Sequence, residues 1–125
     1  MQKKVVSRMI TALAVVAGLS FSQFALAHAH LQSSDPAANA QVSSSADALT
    51  LDFSEDIEAA FSGVTLLDAA QQPVATGKVR VGAKQASHLI VDLNQPLKAG
   101  DYQVNWHVLS VDGHKTSGSY HFSVK

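Results

Sequence analysis

The chain has 125 residues, with nine Lys and Arg, ten Asp and Glu, and a formal net charge of −1 at pH 7. Three of the nine basic residues lie among the first eight positions, so the part after residue 27 keeps six basic and ten acidic side chains, a formal charge of −4. That balance argues against a nucleic-acid partner, because phosphate binding needs a basic surface. The length fits one domain, and the absence of cysteine excludes a disulfide scaffold.

The amino terminus has the three parts of a secretory signal. A basic start is followed by an apolar run over residues 9–19 and by a small-x-small cleavage site that ends at Ala27. The run is shorter than the roughly 20 residues that a membrane-spanning helix needs. We therefore expect residues 1–27 to be a cleaved signal peptide, and residues 28–125 to form a single exported domain with His28 at its amino terminus.

A second cleavage register exists, because Ala27-His28-Ala29 is also small-x-small and would place His30 first. Either cut exposes an amino-terminal histidine, whose free amine and ring Nδ1 can bind one metal ion together. With His28 first, the amine and His30 could instead hold copper or nickel in a square plane through deprotonated backbone nitrogens. We favour a site built by the fold, because a first strand would use those nitrogens in its hydrogen bonds.

Beyond residue 28, short segments alternate apolar and polar residues as half-buried strands do. The alternation is clearest near the carboxyl terminus, where Tyr102, Val104, Trp106 and Val108 share one face. The predicted strands are His28 to Gln32 and residues 48–54, 62–69, 74–81, 87–94, 100–110 and 116–125. About seven short strands in one domain indicate an all-β sandwich. The Ser/Ala-rich stretch from Ala37 to Ala48 is predicted to be a surface loop.

The sequence "VLSVDGHKTSG" places Asp112 and His114 on either side of Gly113, between the two strongest predicted strands. A carboxylate and an imidazole at this spacing can turn toward one point, so with His28 they form a candidate metal site. The alternative is an ordinary hairpin turn, which Asp-Gly favours strongly. The residues alone leave both interpretations open.

Three further histidines need separate interpretations. His88 and His121 are out of phase with the apolar residues of their strands, so we predict exposed or partly exposed side chains and do not assign them to the site. His107 faces away from Trp106 but lies close in sequence to the Asp112 loop. We expect it to be at most a supporting neighbour of the site.

The chain resembles a known family in three stretches: "HAHLQSSDPAA" from His28, "LDFSEDIEAAFSGV" from Leu51, and "GDYQVNWHVLSVDGHKTSGSYHFSV" from Gly100. These are similar to the CopC-type periplasmic copper-binding proteins, and most closely to their shorter YobA-like members. The resemblance implies a Greek-key β-sandwich or barrel of the immunoglobulin-like, cupredoxin-like kind. It also implies cleavage after Ala27.

The resemblance further implies that copper(II) is bound by His28, through amine and ring, and by Asp112 and His114, with one ion per chain. Glu55 is a weaker candidate, as an axial or supporting oxygen. Some larger members carry a methionine-rich copper(I) site, but here both methionines fall in the signal. Copper(I) selects soft sulfur ligands, so we expect no copper(I) site.

The function that follows is a monomeric, non-enzymatic periplasmic protein that buffers or carries copper in copper homeostasis and resistance. Its expected partners are the ion itself and an inner-membrane copper protein of the CopD type. One alternative is an enzyme like the copper mono-oxygenases that begin with a metal-binding histidine, although few aromatic residues remain here for a substrate platform. The other is a metal-free sandwich that serves as a protein-interaction module.

Overall fold

A computed structural model describes residues 29–43 and 47–125; the expected signal segment and His28 lie outside the described residues. Within those two ranges the chain forms nine strands and one 3-10 turn at Ala59–Phe61, and no helix is long and apolar enough to cross a membrane. In chain order the strands are β1 (Leu31–Asp35), β2 (Gln41–Val42), β3 (Ala48–Phe53), β4 (Gly63–Leu67), β5 (Pro73–Val74), β6 (Thr76–Val81), β7 (His88–Leu93), β8 (Gly100–Leu109) and β9 (Lys115–Val124).

The strands form two sheets, one of four strands in the order β1-β3-β7-β6 and one of five in the order β2-β9-β8-β4-β5. The chain passes from one sheet to the other several times, so strands that follow each other in sequence often lie in different layers. The predicted all-β sandwich is confirmed. Its two layers share one core, as expected for a domain of this size.

The strand count is higher than predicted because two of the strands have only two residues each. β2 lies inside the stretch from Ala37 to Ala48 that was predicted to be a loop, and it pairs in parallel with the end of β9. The predicted strand 74–81 is divided, since Pro73–Val74 pairs with β4 and Thr76–Val81 pairs with β7 in the other sheet. A two-residue strand has no period in sequence, and only its partner reveals it.

The core consists of the apolar residues that alternate along the longer strands, as the pattern predicted. At its centre Phe53 of β3 meets Trp106 of β8 edge to face, with ring centroids 5.0 Å apart and planes at 73°. This contact joins the two sheets. The strand residues buried around it include Leu49, Leu51, Leu66, Leu89, Val91, Tyr102, Val104, Val108, Tyr120, Phe122 and Val124.

The hairpin of β8 and β9 is the longest feature of the fold. Its ten residue pairs run from Gly100 opposite Val124 to Leu109 opposite Lys115 without a register shift. Residues 110–114 connect the two strands at one end of the sandwich. The hairpin therefore places Asp112 and His114 on a short connection held by a long, regular ladder.

Gly118 of β9 provides a test of this packing, because a Cβ atom there would lie 2.6 Å from Cζ2 of Trp106. We expect Gly118→Ala to lower the free energy of unfolding by about 1–3 kcal/mol, the usual cost of overpacking a core. Gly77→Ala in β6 is the matched control, since its Cβ would meet Asp92 no closer than 3.4 Å. Urea unfolding of both variants measures the difference, and equal stabilities would contradict the packing described.

Candidate metal centre

The connection between β8 and β9 has the tight turn that the Asp-Gly pair favours, and it also brings two predicted ligands together. Gly113 has φ of +94°, a value that glycine adopts without strain, and its N–H donates to the Ser110 carbonyl at 2.9 Å. The Ser110 N–H donates to the His114 carbonyl at 2.9 Å and closes the loop. The turn and the candidate site are thus the same structure.

Within this loop Oδ1 of Asp112 lies 3.2 Å from Nδ1 of His114. Two donors bound at right angles to one ion at about 2.0–2.1 Å lie about 2.9 Å apart, so the pair is close to the separation that a shared ion needs. The side chains are 47% and 43% exposed, while Nδ1 of His114 itself is buried against its neighbours. The pair can supply one oxygen and one nitrogen.

Ser110 holds Asp112 and His114 in this arrangement, and the sequence did not predict that role. It is buried, its hydroxyl donates to Oδ1 of Asp112, and its Oγ accepts from the His114 N–H at 3.2 Å. The only signal in the sequence was the alternation along β8, because position 110 continues the inward-facing series of Trp106 and Val108. A polar residue at an inward position needs partners, and here they are both candidate ligands.

Glu55, the weaker candidate, lies beside Asp112. Its segment runs along the end of β8: Ile57 bridges to Ser110, and the Val111 N–H donates to the Asp56 carbonyl at 3.0 Å. The Glu55 side chain is close enough to Asp112 to contribute to the lowered pKa of its carboxyl. The structure therefore places the suggested supporting oxygen next to the pair.

The pKa of the Asp112 carboxyl is lowered from its ordinary value of 3.8. The Ser110 hydrogen bond is the largest cause of this lowering; partial burial opposes it, and the charge of His114 and the neighbouring Glu55 side chain add to it. Because the pKa of Asp112 is lower in the folded chain than in the unfolded chain, ionised Asp112 stabilises the fold at a pH above the unfolded-state pKa. This stabilisation is lost as the pH falls through the folded-state pKa. At neutral pH Asp112 is a carboxylate, the form that binds metal.

The first described residues are anchored at the same end of the sandwich. Ala29 is buried, and its carbonyl accepts a hydrogen bond from Thr116 Oγ1 at 2.9 Å, two positions after His114. His30 donates its N–H to Ser54 Oγ at 3.0 Å, and its carbonyl accepts from the Ser54 N–H at 3.0 Å. Ala29 is thus held between the segment that carries Glu55 and the strand that follows His114.

The remaining histidines of the described residues make other contacts. His30 uses its backbone nitrogen in the bond to Ser54, the nitrogen that a square-planar site would have to deprotonate. The ring of His107 covers Gly63, where a Cβ would lie 2.5 Å from its Cε1. His121 is exposed, and His88 is 34% exposed and contacts Asp52. Within residues 29–43 and 47–125, no three His, Asp or Glu side chains converge on one point.

Comparison with known proteins identifies the family. A family model of the CopC domain matches residues 31–125. The chain belongs to the CopC domain family. The resemblance expected from the sequence motifs is confirmed, and the matched range covers the β-sandwich from its first strand to the carboxyl terminus.

Curated relatives agree with this assignment. Protein YobA of Escherichia coli K12 is 45% identical over 114 residues, which cover 91% of this chain and 92% of that protein. Copper resistance protein C of Escherichia coli is 38% identical over 119 residues, covering 89% of this chain and 90% of that protein. The likeness therefore extends over nearly the whole length of each protein.

Solved structures share the fold. CopC from Methylosinus trichosporium OB3b superposes with a TM-score of 0.73 at 32% identity, covering 78% of this chain and 94% of that one. PcoC, a methionine-rich copper resistance protein from Escherichia coli, superposes with a TM-score of 0.71 at 36% identity, covering 79% of this chain and all of its own.

Replacing Ser110 with Ala tests whether its hydroxyl positions the pair. We expect the Asp112 pKa to rise toward 3.8 in Ser110→Ala, because the largest cause of its depression is removed. The free energy of unfolding should fall by about 1–3 kcal/mol, since the partly buried His114 N–H loses its acceptor.

Carbon-13 NMR titration of the Asp112 carboxyl and urea unfolding measure the two effects. Ser119→Ala, on the exposed face of β9, is the control and should change stability by less than about 0.5 kcal/mol. An unchanged Asp112 pKa in Ser110→Ala would show that the hydroxyl does not hold the carboxylate.

Proposed function

We propose that this protein binds one copper(II) ion in the periplasm and buffers or carries it, as part of copper homeostasis and resistance. The observation that carries the proposal is the Asp112 and His114 pair, with donor atoms 3.2 Å apart, at the end of the sandwich where Ala29 is anchored. The relatives named as copper resistance proteins support the same function.

The proposed ligand set is His28, Asp112 and His114. Removal of residues 1–27 gives His28 a free amine, and its covalent neighbour Ala29 is hydrogen-bonded to Thr116, close in sequence to His114. Amine and ring nitrogens from His28 join one imidazole and one carboxylate. Three nitrogens and one oxygen suit the tetragonal geometry of copper(II), which also heads the affinity order of the first-row divalent metals.

Copper(II) rather than copper(I) is the proposed oxidation state. The sequence after residue 27 contains neither methionine nor cysteine, the soft ligands that copper(I) prefers. PcoC, in contrast, is described as methionine-rich. After residue 27 this chain thus carries only oxygen and nitrogen donors, which favours the oxidised ion.

A binding role is favoured over the mono-oxygenase alternative by the position of the aromatic side chains. Trp106 and Tyr102 are buried in the core, where they cannot stack against a polysaccharide. In the proposed ligand set the Asp112 carboxylate takes one position on the ion, which would restrict access of oxygen. We propose a monomeric carrier that exchanges copper with an inner-membrane partner of the CopD type.

Isosteric replacement of each described ligand tests the function. We expect Asp112→Asn and His114→Gln each to raise the copper(II) dissociation constant by at least about tenfold, the lower limit for loss of a supporting contact at a metal site. Competition titration with a chromophoric chelator measures the constants. His121→Gln, which changes an exposed histidine on β9, is the control and should bind as the parent does. Parent-like affinity in both ligand variants would refute the proposed site and favour a metal-free interaction module.

A further inference from the structure

We propose a second, weaker metal site on the outer face of the four-stranded sheet, formed by His88 and Asp52. The two residues are direct partners in the antiparallel pairing of β3 with β7. Nε2 of His88 lies 3.2 Å from Oδ1 of Asp52. Their neighbours Leu51 and Leu89 are fully buried, so alternation turns His88 and Asp52 away from the core.

The separation of the two donor atoms suits a shared ion. Two donors at about 2.0–2.1 Å from one ion, at right angles, are about 2.9 Å apart, and a small side-chain rotation closes the remaining gap. The backbone beneath them is fixed, because β3 also pairs with β1 and β7 also pairs with β6. With side chains 34% and 31% exposed, the pair is open to an ion that keeps water in its other positions.

The charges on this face permit a cation to bind. Arg80 of β6 is held by Asp92, with nitrogen-to-oxygen distances of 3.1 and 3.3 Å, so its positive charge is balanced by its own partner. The second carboxylate oxygen of Asp52 lies 3.5 Å from the hydroxyl of Ser33. The Asp52 carboxylate therefore has a neutral hydroxyl on one side and an imidazole on the other.

The donors define the class of ion. One imidazole and one carboxylate suit copper(II) and zinc(II), and the absence of sulfur disfavours copper(I). Two protein donors should bind more weakly than the four atoms proposed for the first site, so His88 and Asp52 take up an ion only after that site is filled. The second site uses none of the proposed first-site residues and gives the chain capacity beyond one ion.

Nitrogen-15 NMR of the protein purified after export, titrated with copper(II), resolves the two sites, because the paramagnetic ion broadens nearby resonances. We expect the first equivalent to broaden the Asp112 loop and further copper to broaden Asp52, His88 and Ser33. In His88→Gln the dissociation constant of the second phase should rise at least about tenfold, while the first phase stays unchanged. His121→Gln is the matched control and should retain both phases.

Asp52→Asn gives the same test and keeps the imidazole of His88. Thermal unfolding without metal checks that each variant is folded. Sharp resonances around His88 in several-fold copper excess would overturn the proposal, as would a second phase unaltered in both His88→Gln and Asp52→Asn. The proposals for the two sites can be refuted independently of each other. Asp112→Asn should raise the dissociation constant of the first phase at least about tenfold and leave broadening around His88, even if the role proposed for His28 is wrong.

Discussion

The hydroxyl of Ser110 is the contact on which the candidate centre depends. It is buried at the end of β8, donates to the Asp112 carboxylate and accepts from the His114 backbone. A buried hydroxyl without these partners would be costly, so the loop is stable only in a form that satisfies it. That form holds the carboxylate and the imidazole beside each other, as the proposed metal site requires.

The second requirement is that distant parts of the chain meet at this loop. Thr116 reaches the carbonyl of Ala29 across a sequence separation of 87, and Ser54 fixes both backbone groups of His30. These contacts are local consequences of the sandwich topology, in which β1 and β9 belong to different sheets. The fold thus brings Ala29, the residue after His28, and the late loop to the same end of the sandwich, as the proposed site requires.

The sequence predicted the parts of the structure in which apolar and polar residues alternate regularly. Alternation identified the long strands and most of the core, and the Asp-Gly-His spacing identified the loop. β2 and β5 were missed because two residues have no period, and Ser110 was missed because its partners are set by the turn geometry. The contact between Glu55 and Asp112 arises from pairing of segments far apart in sequence, which only a motif shared with the CopC family had indicated. The role of His28 stays a prediction.

The most direct test of the account is a copper(II) titration with electron paramagnetic resonance on protein shown by mass to begin at His28, beside protein with one extra glycine in front. The extension keeps every side chain and moves only the free amine. The account predicts tight binding of one ion with a nitrogen-rich tetragonal spectrum in the first protein, and far weaker binding in the second. Equal binding and identical spectra in the two proteins would contradict it, because the amine of His28 would then not be a ligand.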